Sequence, residues 1–323
     1  MTINSKVAWL LNLEEQIGNL VPSPHEGLGT ALKQALQSLG YTVRNSNDAG
    51  HLGDFSVLIS ADLDETRIQQ LAEYPRERCF LIATEPPLVM PSFYSPVTRS
   101  RFGKIFLLLD RFVDNQNYFK IYHLITQKNP ISQEQEVPFE KRKLCCMVQG
   151  NKFFRHFPGE LYTERKNLAE FFTQLSSFSK EFDVYGVNWQ GLKSWKGMTK
   201  TNKALLGQYK FAICYENTGD ELGFITERIF NSLFARNVPV YLGAPNIHDY
   251  VPKDCFIDAR DFGGQGEAAQ KRIWDFMTSM DKSTYQNYIS AGQNYLTNNQ
   301  KIKLFSLENM VNTIIDQVKK LGI

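Results

Sequence analysis

Short apolar runs alternate with amphipathic stretches along the chain, and that alternation predicts an α/β protein. Val7 to Leu11, Thr42 to Val43, Phe55 to Ser60, Cys79 to Thr84 and Lys104 to Leu109 read as strands. Segments such as Gly29 to Leu39 and Glu65 to Glu73 separate them as helix or loop. Gln127 to Lys143 is polar, carries Pro130 and Pro138, and reads as a linker. Leu144 to Val148 opens a second lobe, in which Glu181 to Tyr185 is a strand ending at Gly186. Helices are expected at 267–280, 282–297 and 303–321, the last with Met310, Ile314, Val318 and Leu321 as its apolar stripe. The division expected is 1–140, 141–300 and a terminal helix at 301–323.

The densest stretch runs from Tyr209 to Gly243. Lys210 to Tyr215 is an apolar strand, Ile225, Ile229 and Leu233 share one helical face, and Val238 to Leu242 resumes strand character. A right-handed crossover of this length makes the two strands parallel. It puts Tyr215, Glu216 and Asn217 and the helix start at the strands' carboxyl ends, where open α/β sheets bind ligands.

Residue types then suggest the ligand. Thr226 is a candidate N-cap, so the free N–H groups of the first turn, beside Arg228, suit phosphate oxygens. Glu216, Asn217 and Glu227 suit hydroxyl groups, because their oxygens accept. Diphosphate and polyol in one pocket suggest a sugar nucleotide; the competing reading leaves Glu227 and Arg228 as a solvated first turn.

The ordered run Tyr215-Glu216-Asn217, Glu227-Arg228, Asn237-Val238-Pro239-Val240-Tyr241-Leu242-Gly243 and Phe256-Ile257-Asp258 resembles the signature of the α1,3/4-fucosyltransferases, glycosyltransferase family 10. Two positions depart from it: Phe224 stands where the family usually has Tyr, and Arg228 where it has Lys. Arg keeps the charge and grips a diphosphate in two places, whereas Phe224 lacks a donor. The resemblance implies a GT-B scaffold of two Rossmann-like lobes facing a central cleft, a GDP-fucose donor, and inverting transfer to a glycan hydroxyl in α1,3 or α1,4 linkage. It also implies that the last helix packs back on the first lobe. Another sugar nucleotide on the same scaffold, or an inactive nucleotide-sugar or glycan binder, remains the alternative.

Two residues outside the signature extend the resemblance. Arg165 lies within the apolar stripe Leu161, Leu168, Phe172 and Leu175, where an unpaired charge is costly, so a carboxylate or a ligand phosphate must meet it. Family enzymes place a diphosphate-binding Arg there. Glu85 follows the Cys79 to Thr84 run and precedes Pro86 and Pro87, which stiffen its backbone at a strand's carboxyl end. The resemblance makes it the general base, although a Glu before a proline turn also reads as a solvated loop residue. Asn188 and Trp189 are further candidates for lining the cleft.

Composition narrows the alternatives. At 323 residues the chain is long enough for two cores, and a net charge of +2 without a basic stripe argues against nucleic acid. Neither a signal peptide nor an eighteen-residue apolar span is expected, and animal relatives carry a Golgi anchor. A cytoplasmic, bacterial-type enzyme at the inner membrane face or acting on soluble acceptors is therefore expected. The five cysteines lie in apolar runs without a CxxC pair and read as core thiols. The histidines show no metal spacing. Asp62-Leu63-Asp64 formally matches a metal-binding DxD but is equally explained as acids opening a helix. No cofactor is expected, with Mn or Mg at most stimulatory.

Overall fold

The computed structural model describes residues 6–13, 27–46, 55–61, 63–127, 129–152, 157–177, 180–199 and 203–322. Asp62 lies outside the described residues, as do His25, His51 and His156. The chain forms two compact units, Met1–Leu124 with Lys303–Ile323, and Ile125–Ile302.

The first unit contains β1 (Val7–Leu11), α1 (Leu28–Ser38), β2 (Thr42–Ser46), β3 (Val57–Ala61), α2 (Glu65–Gln70), β4 (Cys79–Ala83), α3 (Pro96–Arg101), β5 (Lys104–Leu107) and β6 (Tyr118–Lys120). Its sheet has the order β2-β1-β3-β4-β5-β6, with every pairing parallel. The central strands β3 and β4 are buried at every position, as expected where helices cover both faces and the strand needs no polar side. At the edge, β2 runs through Arg44, Asn45 and Ser46, beyond its apolar pair. An edge strand needs ladder bonds on one side only and tolerates polar side chains there.

The second unit contains β7 (Lys143–Val148), α4 (Tyr162–Leu175), β8 (Phe182–Tyr185), α5 (Lys203–Leu206), β9 (Tyr209–Tyr215), α6 (Glu227–Phe234), β10 (Val238–Leu242), β11 (Ile257–Asp258), α7 (Glu267–Ser279) and α8 (Lys282–Asn298). Its parallel sheet has the order β11-β10-β9-β7-β8, so the winding direction reverses between β7 and β9. That reversal opens a crevice at the carboxyl ends of the two strands. The core behind it holds Phe211, Ile213, Val240, Leu168, Phe172 and Ile273.

The last helix, α9 (Leu307–Lys319), belongs to the first unit and packs on α1, burying Met310, Ile314 and Val318. It starts four residues later than the apolar pattern suggests because the Ser306 hydroxyl caps it, accepting from the Asn309 N–H. The polar stretch before β7 is tied to the second unit. Ile131 donates its N–H to the Phe234 carbonyl, and Glu136 bridges Arg142 at 3.1 Å and Arg236 at 2.6 Å. These tertiary bonds give a loop-like sequence a fixed path.

Candidate active site

At the β7/β9 crevice, β7 continues into Gln149 and Gly150, and β9 into Glu216 and Asn217. The segment before α4 is stitched to the β9 loop. Leu161 donates its N–H to the Asn217 carbonyl at 3.0 Å, Gly219 donates to the Gly159 carbonyl at 2.8 Å, and Glu160 bridges to Thr218. One helical turn after Leu161, Arg165 therefore arrives over the end of β9.

Arg165 is 2% exposed. Its Nη2 donates to the Tyr215 carbonyl at 2.7 Å and to Asn217 Oδ1 at 3.0 Å. Its Nε is buried without a partner, and its Cζ sits 4.7 Å from the centroid of the Tyr162 ring. Burial first, and the like charge of Arg228 second, push its pKa below the ordinary arginine range. Among the described residues no carboxylate forms an ion pair with it.

Arg228 is held differently. Its Nη1 donates to Glu216 Oε2 and to Thr226 Oγ1, each at 2.7 Å, and its Nη2 reaches Asn217 Oδ1 at 3.4 Å. Burial opposes its charge, but the Glu216 and Glu227 carboxylates outweigh that effect and raise its pKa. The side chain keeps 23% exposure, so the guanidinium with a carboxylate ion pair is the more open of the two, and Arg165, which has none among the described residues, is the buried one. Asn217 Oδ1 accepts from both and joins them into one cationic cluster.

Several site residues expected from sequence act through this cluster. Glu216 is fully buried, and its oxygens accept from the Thr226 N–H at 2.7 Å, the Thr226 hydroxyl at 2.8 Å and Arg228. It is a buried anchor for Arg228 and not, as its residue type suggested, an acceptor open to sugar hydroxyl groups. Thr226 occupies the N-cap of α6, but its hydroxyl goes to Glu216 and Arg228, because a charged partner outcompetes a cap bond. Tyr215 contributes its carbonyl, its ring being fully buried. Phe224 is also buried, and Glu227 is half-buried in the first turn of α6.

Asn188 and Trp189 separate. Asn188 is exposed in the left-handed region at φ 64°, and its carbonyl accepts from Asn151 Nδ2. Trp189 belongs to the core, correcting its expected place on the cleft wall: it is 3% exposed and its indole Nε1 donates to the Gln149 carbonyl at 2.7 Å. Large aromatic surface gains more from burial than from water, and the single N–H is satisfied inside.

Glu85 lies in the first unit, two residues beyond β4, half-buried, with its carbonyl accepting from the Tyr94 hydroxyl at 2.8 Å. The Tyr94 ring packs against Phe112, centroids 5.1 Å apart, so the Met90 to Arg101 stretch braces the Glu85 backbone. Asp64 caps α2, accepting from the Arg67 N–H at 2.8 Å. Among the described residues no three His, Cys, Asp or Glu side chains form a group that could hold a metal ion. All five cysteines are buried and unpaired.

Three contributors carried no motif. Gln149 is the first polar residue past an apolar strand, a position that could have marked it. Arg260 donates to the Gly219 carbonyl at 2.9 Å and to the Gly243 carbonyl, tying the β9 loop to the end of β10. Glu164, also buried, accepts from Gln270 Nε2 at 2.7 Å and from the Gly266 N–H, which docks α7 against α4.

The family profile described as the C-terminal part of glycosyltransferase family 10 (fucosyltransferase) matches residues 139–316, more than half of the chain. The chain belongs to glycosyltransferase family 10. Within the family it is 32% identical over 120 residues to an alpha-(1,4)-fucosyltransferase of Arabidopsis thaliana, covering 36% of this chain and 28% of that protein. It is 39% identical over 70 residues to the alpha-(1,3)-fucosyltransferase FucT of Helicobacter pylori, covering 21% and 14%. The chain thus spans less than half the length of these curated relatives. Crystal structures of an alpha1,3-fucosyltransferase, alone and with GDP-fucose, superpose with TM-scores of 0.61 and 0.57 at 14% and 15% identity. They cover 99% and 97% of this chain and 92% and 90% of those chains. The family member therefore has the GT-B-like arrangement of two parallel α/β sheets that its signature implied.

The ion pair at the centre of the site sets a stability test. Glu216→Ala would leave Arg228 without its nearest carboxylate and Thr226 without its acceptor, and is expected to cost about 3–5 kcal/mol in urea unfolding. A loss below about 1 kcal/mol would show that Glu216 does not hold the cluster together.

Proposed function

We propose that this chain is an inverting fucosyltransferase that moves L-fucose from GDP-fucose to a hydroxyl of a glycan acceptor, in α1,3 or α1,4 linkage. The observation that carries the reading is Arg165: a buried guanidinium with an unpartnered Nε and no carboxylate ion pair among the described residues, coupled through Asn217 to the more open Arg228. A buried cation without a direct ion pair is tolerated where a ligand anion completes it. A diphosphate has the charge to do so, and arginine forks match its oxygens. The relative crystallised with GDP-fucose supports that choice of donor.

In this mechanism Glu85 takes the proton from the acceptor hydroxyl as its oxygen attacks the anomeric carbon from the face opposite the diphosphate. The C–O bond to GDP breaks as the new glycosidic bond forms. Arg165, Arg228 and the first turn of α6 stabilise the charge growing on the departing GDP. The two guanidiniums supply positive charge at the leaving group, so the step needs no resident metal. One carboxylate suffices, because inversion by single displacement asks only for a base. No helix among the described residues is long and apolar enough to cross a membrane. A cytoplasmic place of action fits five free thiols, since that compartment keeps cysteines reduced.

The test is a thermal-shift comparison of GDP, UDP, ADP and CMP. GDP at 100 times its Kd is expected to stabilise the protein by about 2.7 kcal/mol, with little effect from the others. Stabilisation by UDP alone would overturn the donor assignment.

A further inference from the structure

Gln149 is a further polar side chain at the β7/β9 crevice with an unbonded atom, beside Arg165. It is 6% exposed, and its Oε1 is buried without a partner. The remaining polar atoms are fixed: its N–H donates to the Tyr185 carbonyl at 2.9 Å, its carbonyl accepts from Trp189 Nε1, and its Nε2 donates to the Tyr215 carbonyl at 2.9 Å. That last bond decides which end of the carboxamide is which, because a rotated amide would set two acceptors against each other. The Tyr215 carbonyl also accepts from Arg165 Nη2 at 2.7 Å. Gln149 and Arg165 thus converge on one oxygen, one with an unfilled acceptor and the other with an unfilled donor.

The diphosphate of a nucleotide sugar satisfies only the donor, since, esterified at both ends, it carries no proton at neutral pH and its oxygens only accept. The acceptor requires a donor hydrogen carried by whatever is joined to the diphosphate, and on a sugar that donor is a hydroxyl. We infer that Gln149 Oε1 accepts a hydrogen bond from a sugar hydroxyl adjoining the diphosphate of the bound donor, which makes Gln149 a further specificity-determining residue of the site. The inference rests on the proposed sugar-nucleotide reading and adds to it a contact on the sugar side of the phosphates. Two sugars flank the diphosphate, the ribose and the transferred sugar, and both present this chemistry.

Gln149→Leu, with Gln149→Met as a second variant, tests it by calorimetric titration with GDP, GDP-fucose and inorganic pyrophosphate. Both variants should fold, because the Tyr215 carbonyl keeps its bond from Arg165 and an unpaired acceptor is removed. The expected result is a loss of affinity of about tenfold for GDP with pyrophosphate unchanged, which assigns the contact to the ribose. The same loss for GDP-fucose only would assign it to the transferred sugar. Unchanged affinity for both nucleotides, or an equal loss for pyrophosphate, would overturn the inference, the latter by showing that Gln149 acts only by bracing Arg165. Wild-type protein that binds pyrophosphate but neither nucleotide would overturn the donor reading and this inference together.

Discussion

Arg165→Met is expected to remove most of the stabilisation by GDP while leaving the unliganded protein as stable as the wild type to within about 1 kcal/mol. This rests on how Arg165 is bonded. Both of its acceptors have a second donor: the Tyr215 carbonyl also takes Gln149 Nε2, and Asn217 Oδ1 also takes Arg228 Nη2. Removing the guanidinium therefore strands no buried acceptor. It ends the burial of a charge that has no carboxylate ion pair among the described residues and lies beside another cation. The contact with the Tyr162 ring is lost, a cost of about 0.5–2 kcal/mol that offsets part of the gain. Ligand binding has no such compensation. Truncating one partner of a buried, charged pair costs roughly 2–5 kcal/mol, about 30-fold to several-thousand-fold in affinity for GDP. Thermal melts of wild type and variant, each with and without GDP, measure both quantities. A variant that loses more than about 3 kcal/mol of stability yet still binds GDP would make Arg165 a structural cation.

Glu85→Gln is expected to lower kcat for fucosyl transfer by about 100- to 10,000-fold while the GDP-induced shift stays at its wild-type size. Gln keeps the volume of the side chain, and the Tyr94 hydroxyl continues to hold the residue 85 carbonyl. What it loses is the capacity to take a proton from an incoming hydroxyl. Binding of GDP is assigned to the second unit, so turnover and binding should come apart. Initial rates with GDP-fucose and a panel of oligosaccharide acceptors, beside a GDP titration, make the comparison. Unchanged turnover would remove Glu85 from the chemistry, and joint loss of turnover and GDP binding would point to misfolding.

The linear pattern exposes most strands because a buried parallel strand must be apolar throughout, as in Cys79 to Ala83 and Val238 to Leu242. It also places Arg165 on the inward face of α4, since one helical stripe contains Leu161, Leu168 and Phe172. Trp189, a candidate for the cleft wall just past the strand end at Gly186, is buried instead. Proximity along the chain does not say which way a side chain turns. The linear pattern also starts the last helix early, because the Ser306 cap is a local hydrogen bond that hydrophobic spacing does not register.

Composition, periodicity and an ordered signature carried the α/β class, the resemblance to the family and the inward placement of Arg165, because burial and turn chemistry act locally and leave a mark on residue type. The bonding inside that crevice depends on contacts between residues far apart in sequence. Glu216 turns inward to Thr226 and Arg228, Asn217 joins Arg165 to Arg228, and Gln149 and Arg165 share the carbonyl of Tyr215. Which polar atoms remain unpaired is a property of those distances in space, and no spacing along the chain encodes it.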